Sequence, residues 1–152
     1  MNKRCCFAGH SRIYSGMDKN ILKNVIINLI ENEGVDEFWV GNYGNFDSIS
    51  AEAVRELKIS YPQISLVLVI PYLTKEINDN KKFYNNNYDC ILVAEIPDNI
   101  PRKYRIIKTN EYMVNNSDFL ICYVQHSFGG AAKTLEYANK RKQIKTINIG
   151  LI

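Results

Sequence analysis

Phe-Leu-Ile-Cys-Tyr-Val-Gln-His-Ser-Phe-Gly-Gly-Ala-Ala-Lys-Thr-Leu-Glu-Tyr-Ala, residues 119–138, holds an unbroken apolar run, a polar loop, paired glycines and a helix-forming tail. The run 119–124 shows no polar alternation, which is the pattern of a strand covered on both faces. Gly129 and Gly130 close the loop, and residues 131–142 predict a helix. A buried strand that feeds a helix through a short loop is the repeating unit of a parallel sheet, because strands running the same way need crossover connections.

Working outward, the same unit recurs. Residues 4–8 read as a buried strand ending in Gly9-His10-Ser11-Arg12. From Asp18 onward, Ile21, Leu22, Val25, Ile26, Leu29 and Ile30 form a helical apolar stripe wide enough to pack on a sheet, and Gly34 stops it. Residues 37–40 are the second strand, followed by a loop from Gly41 to Asp47. Asp47 is expected to cap a second helix whose buried face is Ala53, Val54 and Leu57, with Tyr61-Pro62 at its end. The third strand is 64–70. Residues 72–100, rich in asparagine, predict a mobile loop around a short strand, 90–94, at a sheet edge. A helix over 104–116 and a last strand over 144–149 complete the pattern. The fold class is therefore α/β: a Rossmann-like three-layer sandwich with a mostly parallel sheet of about five or six strands, in one domain over 1–152.

Composition narrows the function classes. The chain has 152 residues, 46% of them hydrophobic, and a net charge of +3 from 19 basic and 16 acidic side chains. That mild excess suits an anionic small molecule better than a long polyanion, so nucleic acid is not the expected partner. The start lacks the apolar core of a secretory signal, and the longest apolar stretch is far below the ~20 residues that cross a bilayer, so a cytoplasmic protein without membrane contact is expected. Cys5, Cys6, Cys90 and Cys122 lie in or beside strand-like runs and lack metal spacing, so buried reduced thiols and no metal are expected. Exposed apolar helix surface admits a homodimer or higher homo-oligomer.

In open parallel sheets ligands bind beyond the carboxyl ends of the strands, where loop amides and helix N-termini point outward. Three loops fall there: Gly9, His10, Ser11 and Arg12; Gly41, Asn42, Gly44, Asn45, Phe46 and Asp47, within the loop 41–47; and Gln125-His126-Ser127-Phe128-Gly129-Gly130, in which Ser127, Gly129 and Gly130, with Ala131 after them, are the expected contacts and His126 a weaker one. Gly129-Gly130 lets a ligand approach the first amides of the following helix, with Thr134 adding a hydroxyl; equally, the glycines serve only to let Ala131 and Ala132 pack. His10 is a hydrogen-bond donor, an acid or base near neutral pH, or a structural partner. Asp47 caps a helix or accepts ribose hydroxyls.

These residues resemble the SLOG superfamily, which joins DNA-processing proteins to cytokinin-activating phosphoribohydrolases, and within it the small stand-alone YpsA-like bacterial branch. The matching segments are Cys-Cys-Phe-Ala-Gly-His (5–10), Phe-Trp-Val-Gly-Asn-Tyr-Gly-Asn-Phe-Asp (38–47), Leu-Lys-x-x-Tyr-Pro-x-Ile (57–64), Asn-Glu-Tyr-Met-Val-x-x-Ser-Asp (110–118) and Gly-Gly-Ala-Ala-Lys-Thr-Leu-Glu-Tyr-Ala (129–138). The resemblance implies a Rossmann-like fold and a pocket for nucleotide-derived ligands such as ADP-ribose and its cyclic relatives, with no further cofactor, and adds Asn110 to the site. Phosphoribohydrolase members carry Pro-Gly-Gly-x-Gly-Thr-x-x-Glu, with threonine and glutamate on one helix face. Here the pair is Thr134 and Glu136, about 200° apart around a helix, which turns the carboxylate away. Thr109 stands where relatives carry an arginine, and Ser11 where many do, with Arg12 one step later. The expectation is a binder that senses or sequesters a nucleotide metabolite. The alternatives are a glycosidic-bond enzyme using Glu136 or His10, and a DNA-processing-associated protein.

Overall fold

The computed structural model describes residues 2–13 and 17–151. Strands β1 (Lys3–Gly9), β2 (Val35–Val40), β3 (Ser65–Ile70), β4 (Cys90–Val93), β5 (Phe119–Tyr123) and β6 (Lys145–Asn148) form one sheet in the order β4-β3-β2-β1-β5-β6. Every neighbouring pair is parallel. Helices α1 (Lys19–Glu33) and α2 (Asn45–Leu57) cover one face. Helices α5 (Arg105–Asn115) and α6 (Gly130–Asn139) cover the other.

Alternate residues of each strand supply the two cores. Cys5 and Phe7 of β1, Phe38 and Val40 of β2, and Phe119 and Ile121 of β5 meet Leu22 and Ile26 of α1. Cys6 and Ala8, Trp39, Leu120 and Cys122 point the opposite way, onto Met113 and Val114 of α5 and Ala131 and Ala138 of α6. This two-sided burial is why the strands read as continuous apolar runs. Helix α1 stops where its sequence predicts, Gly34 terminating it with a φ of 73°, and at its start the Asp18 side chain accepts from the Asn20 N–H.

Three expectations are corrected. The asparagine-rich stretch after β3 is not a loop: it folds into α3 (Lys75–Asp79) and α4 (Lys81–Asn87) before β4, which is an edge strand as expected. Thr74 caps α3 by accepting from the Ile77 N–H at 3.2 Å, and Ile77 and Tyr84 pack on Leu68 and Ile70. Asn80 and Asn87 donate to the carbonyls of Glu76 and Phe83, both at 2.7 Å, so they close short helices rather than prevent them. Cys90 is exposed on the edge strand, whereas Cys5, Cys6 and Cys122 are buried and their thiols are pushed up by desolvation. Asp47 is not the cap of α2; Gly44 is, and Asp47 sits two residues inside the helix. Among the described residues no helix is long and apolar enough to cross a membrane.

The two ends of the sheet differ. At the amino ends, Asp118 locks β1 to β5: its carboxylate accepts from the Arg4 N–H at 2.9 Å and its own N–H donates to the Arg4 carbonyl at 2.8 Å. At the carboxyl ends, the chain leaves β1 toward one face and β5 toward the other, since the strand order reverses between them. Diverging connections leave a crevice there.

Candidate functional site

That crevice is a cavity of about 560 Å³ at the carboxyl ends of β1 and β5. The loop after β1 contributes Gly9, His10, Ser11, Arg12 and Ile13, and the loop after β5 contributes Gln125, His126, Phe128, Gly129, Gly130 and Ala131. Tyr43 lines it from the loop before α2, Asp47 from the first turn of α2, and Ile106 and Asn110 from α5.

At the start of α6, Gly129 holds φ 93° and ψ 174° and offers no side-chain cap. The first backbone bond of the helix runs from the Lys133 N–H to the Gly129 carbonyl at 3.1 Å. The N–H groups of the first turn therefore lack helical partners and bring the positive end of the helix dipole to the cavity. Among the described residues, a Cβ built on Gly130 meets nothing within 4 Å, and one on Gly129 meets only His126 Cε1 at 4.0 Å. Thr134 does not line the cavity: it is buried, and its hydroxyl donates to the Gly130 carbonyl at 2.8 Å. Ser127 stays exposed outside the lining.

The segment 41–47 mostly builds the site without facing it. The Asn45 N–H donates to the Ser11 carbonyl at 2.9 Å, and a Cβ on Gly44 would lie 2.5 Å from Ser11 Cα, so glycine lets these two loops touch. Phe46 is buried with its ring against Gly9, where a Cβ would come within 2.3 Å of it. Gly41, Asn42, Gly44, Asn45 and Phe46 lie outside the lining. Asp47 lies within it, half-buried, and its Oδ2 accepts from the Tyr43 N–H at 2.9 Å. Desolvation pushes its carboxyl up to about 7, with the Tyr43 hydrogen bond pulling weakly the other way. A carboxyl poised there exchanges a proton at neutral pH.

His10 is oriented by the chain around it. Its own N–H donates to the Tyr123 carbonyl at 3.2 Å, and its Nε2 accepts from the Gln125 N–H at 2.9 Å. Burial, and then the neighbouring His126, lower its pKa, so the ring is held neutral with Nδ1 carrying the proton. The His10 ring stacks on His126 at 3.8 Å between centroids, and His126 stacks on Phe128 at 3.9 Å.

Of the two catalytic candidates, only His10 reaches the cavity. Glu136 is 70% exposed and pairs with Lys140 at 3.3 Å on the outer face of α6, turned away from Thr134 as the helical angle predicts. Thr109 is buried and its hydroxyl donates to the Arg105 carbonyl at 2.7 Å, so that helix face offers the cavity no cation. Tyr43, Gln125 and Phe128 lie in the expected loops without having been named as contacts, and Ile13 and Ile106 join the lining from outside them. Phe128 did carry a signal: a large apolar side chain between a strand and a glycine pair, where packing has no use for it. Among the described residues no three histidine, cysteine or acidic side chains converge on a point that would hold a metal.

Comparison with known proteins bears on the family and the fold. The YpsA family model, described as the YspA SLOG family, matches residues 7–152. A UPF0398 protein of Halalkalibacterium halodurans is 30% identical over 140 residues, covering 88% of this chain and 74% of that protein. A UPF0398 protein of Lysinibacillus sphaericus is 27% identical over 135 residues, covering 84% and 72%. Among solved structures, DNA processing protein A from Helicobacter pylori, described for its single-stranded DNA binding mode, is similar at a TM-score of 0.63 and 18% identity. That likeness covers 93% of this chain, which spans 62% of the Helicobacter chain.

Proposed function

The chain belongs to the YpsA SLOG family, and from that premise we propose that its cavity binds a nucleotide-derived small molecule of the ADP-ribose type, as a sensor or a sequestering protein. One observation carries this reading. A cavity of about 560 Å³ sits where the strand order reverses, and the first amides of α6, which have no partner among the described residues, open into it beside glycines that leave the backbone bare. Peptide N–H groups at a helix start suit phosphate, and a volume in this range suits a small ligand. Asp47 and Asn110 supply polar contacts for a sugar, and the neutral His10 supplies a donor. Arg12 lines the same space and adds a positive charge.

The experiment is a thermal-shift series with ADP-ribose, NAD and nucleoside monophosphates, together with extraction of nucleotide from the purified, denatured protein. Stabilisation in the wild type and its loss in Gly130→Trp are expected, because a large side chain at 130 fills the notch without entering the core. Stabilisation that survives in Gly130→Trp would move the ligand elsewhere.

A glycosidic-bond activity is the second reading, favoured by the place and the titration of Asp47, the one acidic side chain among the described residues of the cavity lining. Free base released from nucleoside monophosphates, and abolished in Asp47→Asn, would establish it. A DNA-associated role has the fold likeness to DNA processing protein A in its favour and the modest charge against it; a salt-sensitive gel shift at physiological ionic strength decides that case.

A further inference from the structure

His10, His126 and Phe128 form one pile of rings. The His10 and His126 centroids are 3.8 Å apart with planes 11° from parallel, and those of His126 and Phe128 are 3.9 Å apart at 19°. The pile rests on β1 and β5, because the His10 N–H and Nε2 are both tied to the backbone at the end of β5. Its last member, Phe128, is 70% exposed although one face is covered by His126. The exposed face is therefore the outer one, and Phe128 is among the residues that line the cavity.

An apolar ring held in water by two rings behind it does no packing for the fold. Beside it in the chain stands the exposed polar Ser127, so the ring does not continue an apolar run along its own loop. It directly precedes Gly129 and Gly130, whose surroundings are the phosphate notch. A flat, supported aromatic face beside an anion site recognises a planar ring linked to a phosphate. We propose that Phe128 stacks the base of the bound nucleotide, so that this site takes base-bearing nucleotides in preference to bare sugar phosphates. This rests on the nucleotide reading given above and deepens it.

Calorimetric titration of the full chain with AMP and with ribose 5-phosphate tests it, since the two differ only in the base. The wild type is expected to bind AMP at least about tenfold more tightly, the scale of one base–aromatic stack. Phe128→Ala is expected to remove that preference while leaving ribose 5-phosphate within about twofold of the wild type, and Phe128→Trp to restore it. Equal affinity of the wild type for both compounds, or an equal loss of both in Phe128→Ala, overturns the stacking assignment and leaves nucleotide binding standing. Failure of the wild type to bind either compound, or any nucleotide of the thermal-shift series, removes the nucleotide reading and the stacking assignment with it.

Discussion

Helix α2 opens on Gly44 at φ 99° and ψ 178°, and helix α6 opens on Gly129 at φ 93° and ψ 174°; neither has a side-chain cap. The backbone is the same and the surroundings are opposite. At α2 the protein fills its own notch: Ser11 lies against Gly44, the Asn45 amide is taken by the Ser11 carbonyl, and Asp47 folds back onto the Tyr43 amide. At α6 there is no acidic residue in the first turn, and space is open around Gly130. Two identical starts thus divide the labour, with one locking the loops together and the other leaving its amides to the cavity. A glycine before a helix is accordingly no evidence of a ligand until its surroundings are known.

The sharpest way to break this contrast is to add one methyl group at each cap. Gly44→Ala puts a Cβ 2.5 Å from Ser11 Cα in a backbone region only glycine occupies readily, so strain and clash together are expected to cost roughly 3–5 kcal/mol. Gly129→Ala carries the same strain with only His126 at 4.0 Å, and roughly 1–3 kcal/mol is expected. Urea denaturation of both variants gives the difference directly. Equal losses would mean that the α2 notch is no more filled than the α6 notch.

The contrast also marks how far the sequence could be read. The Asp18 cap of helix α1 was not marked, but the helix was legible in its stripe and its Gly34 stop, which are local signals. So was the parallel order of strand and helix, because burial on both faces leaves uninterrupted apolar runs. The asparagine-rich stretch was not, since Asn80 and Asn87 act through side-chain bonds that composition does not reveal. The three loops were legible as a group, but which of their residues face the cavity was not. Asp47 looked like a cap because acids favour that place, yet Gly44 holds it, as a Cβ there would strike Ser11. The stack of His10 on His126 joins residues far apart in the chain, and only the pairing of β1 with β5 brings them together.

A second test uses the acid that closes the α2 notch. Asp47 titrates at about 7 in the fold against an ordinary 3.8, because burial disfavours its charged form. Below about pH 4 both folded and unfolded chains hold this proton; between about 4 and 7 only the folded chain does, so stability falls as pH rises through that window and levels off above it. With water reaching the carboxyl through the open cavity, the fall is expected to be roughly 1–2 kcal/mol. Asp47→Asn keeps an oxygen for the Tyr43 N–H and removes the charge. Chemical denaturation from pH 4 to 8 should show a flatter profile for the variant, and a more stable variant above pH 7. A wild-type profile that rises across the window would contradict a buried neutral acid at α2.

The smallest expected effect lies on α6, whose acid sits in the wrong place to close a notch. Asp47 is in the first turn of α2, but Glu136 lies well inside α6, 70% exposed and bonded to Lys140 at 3.3 Å. An exposed pair of this spacing is worth about 0.3–0.5 kcal/mol, and salt screens it further. Glu136→Gln is therefore expected to change stability by no more than about 0.5 kcal/mol and to leave ligand-induced stabilisation unaltered. The measurement is most informative beside Gly130→Trp, because both changes fall on the same helix. If Glu136→Gln abolished ligand stabilisation while Gly130→Trp did not, the outer face of α6 would be the binding surface, and the open notch would be an accident of packing.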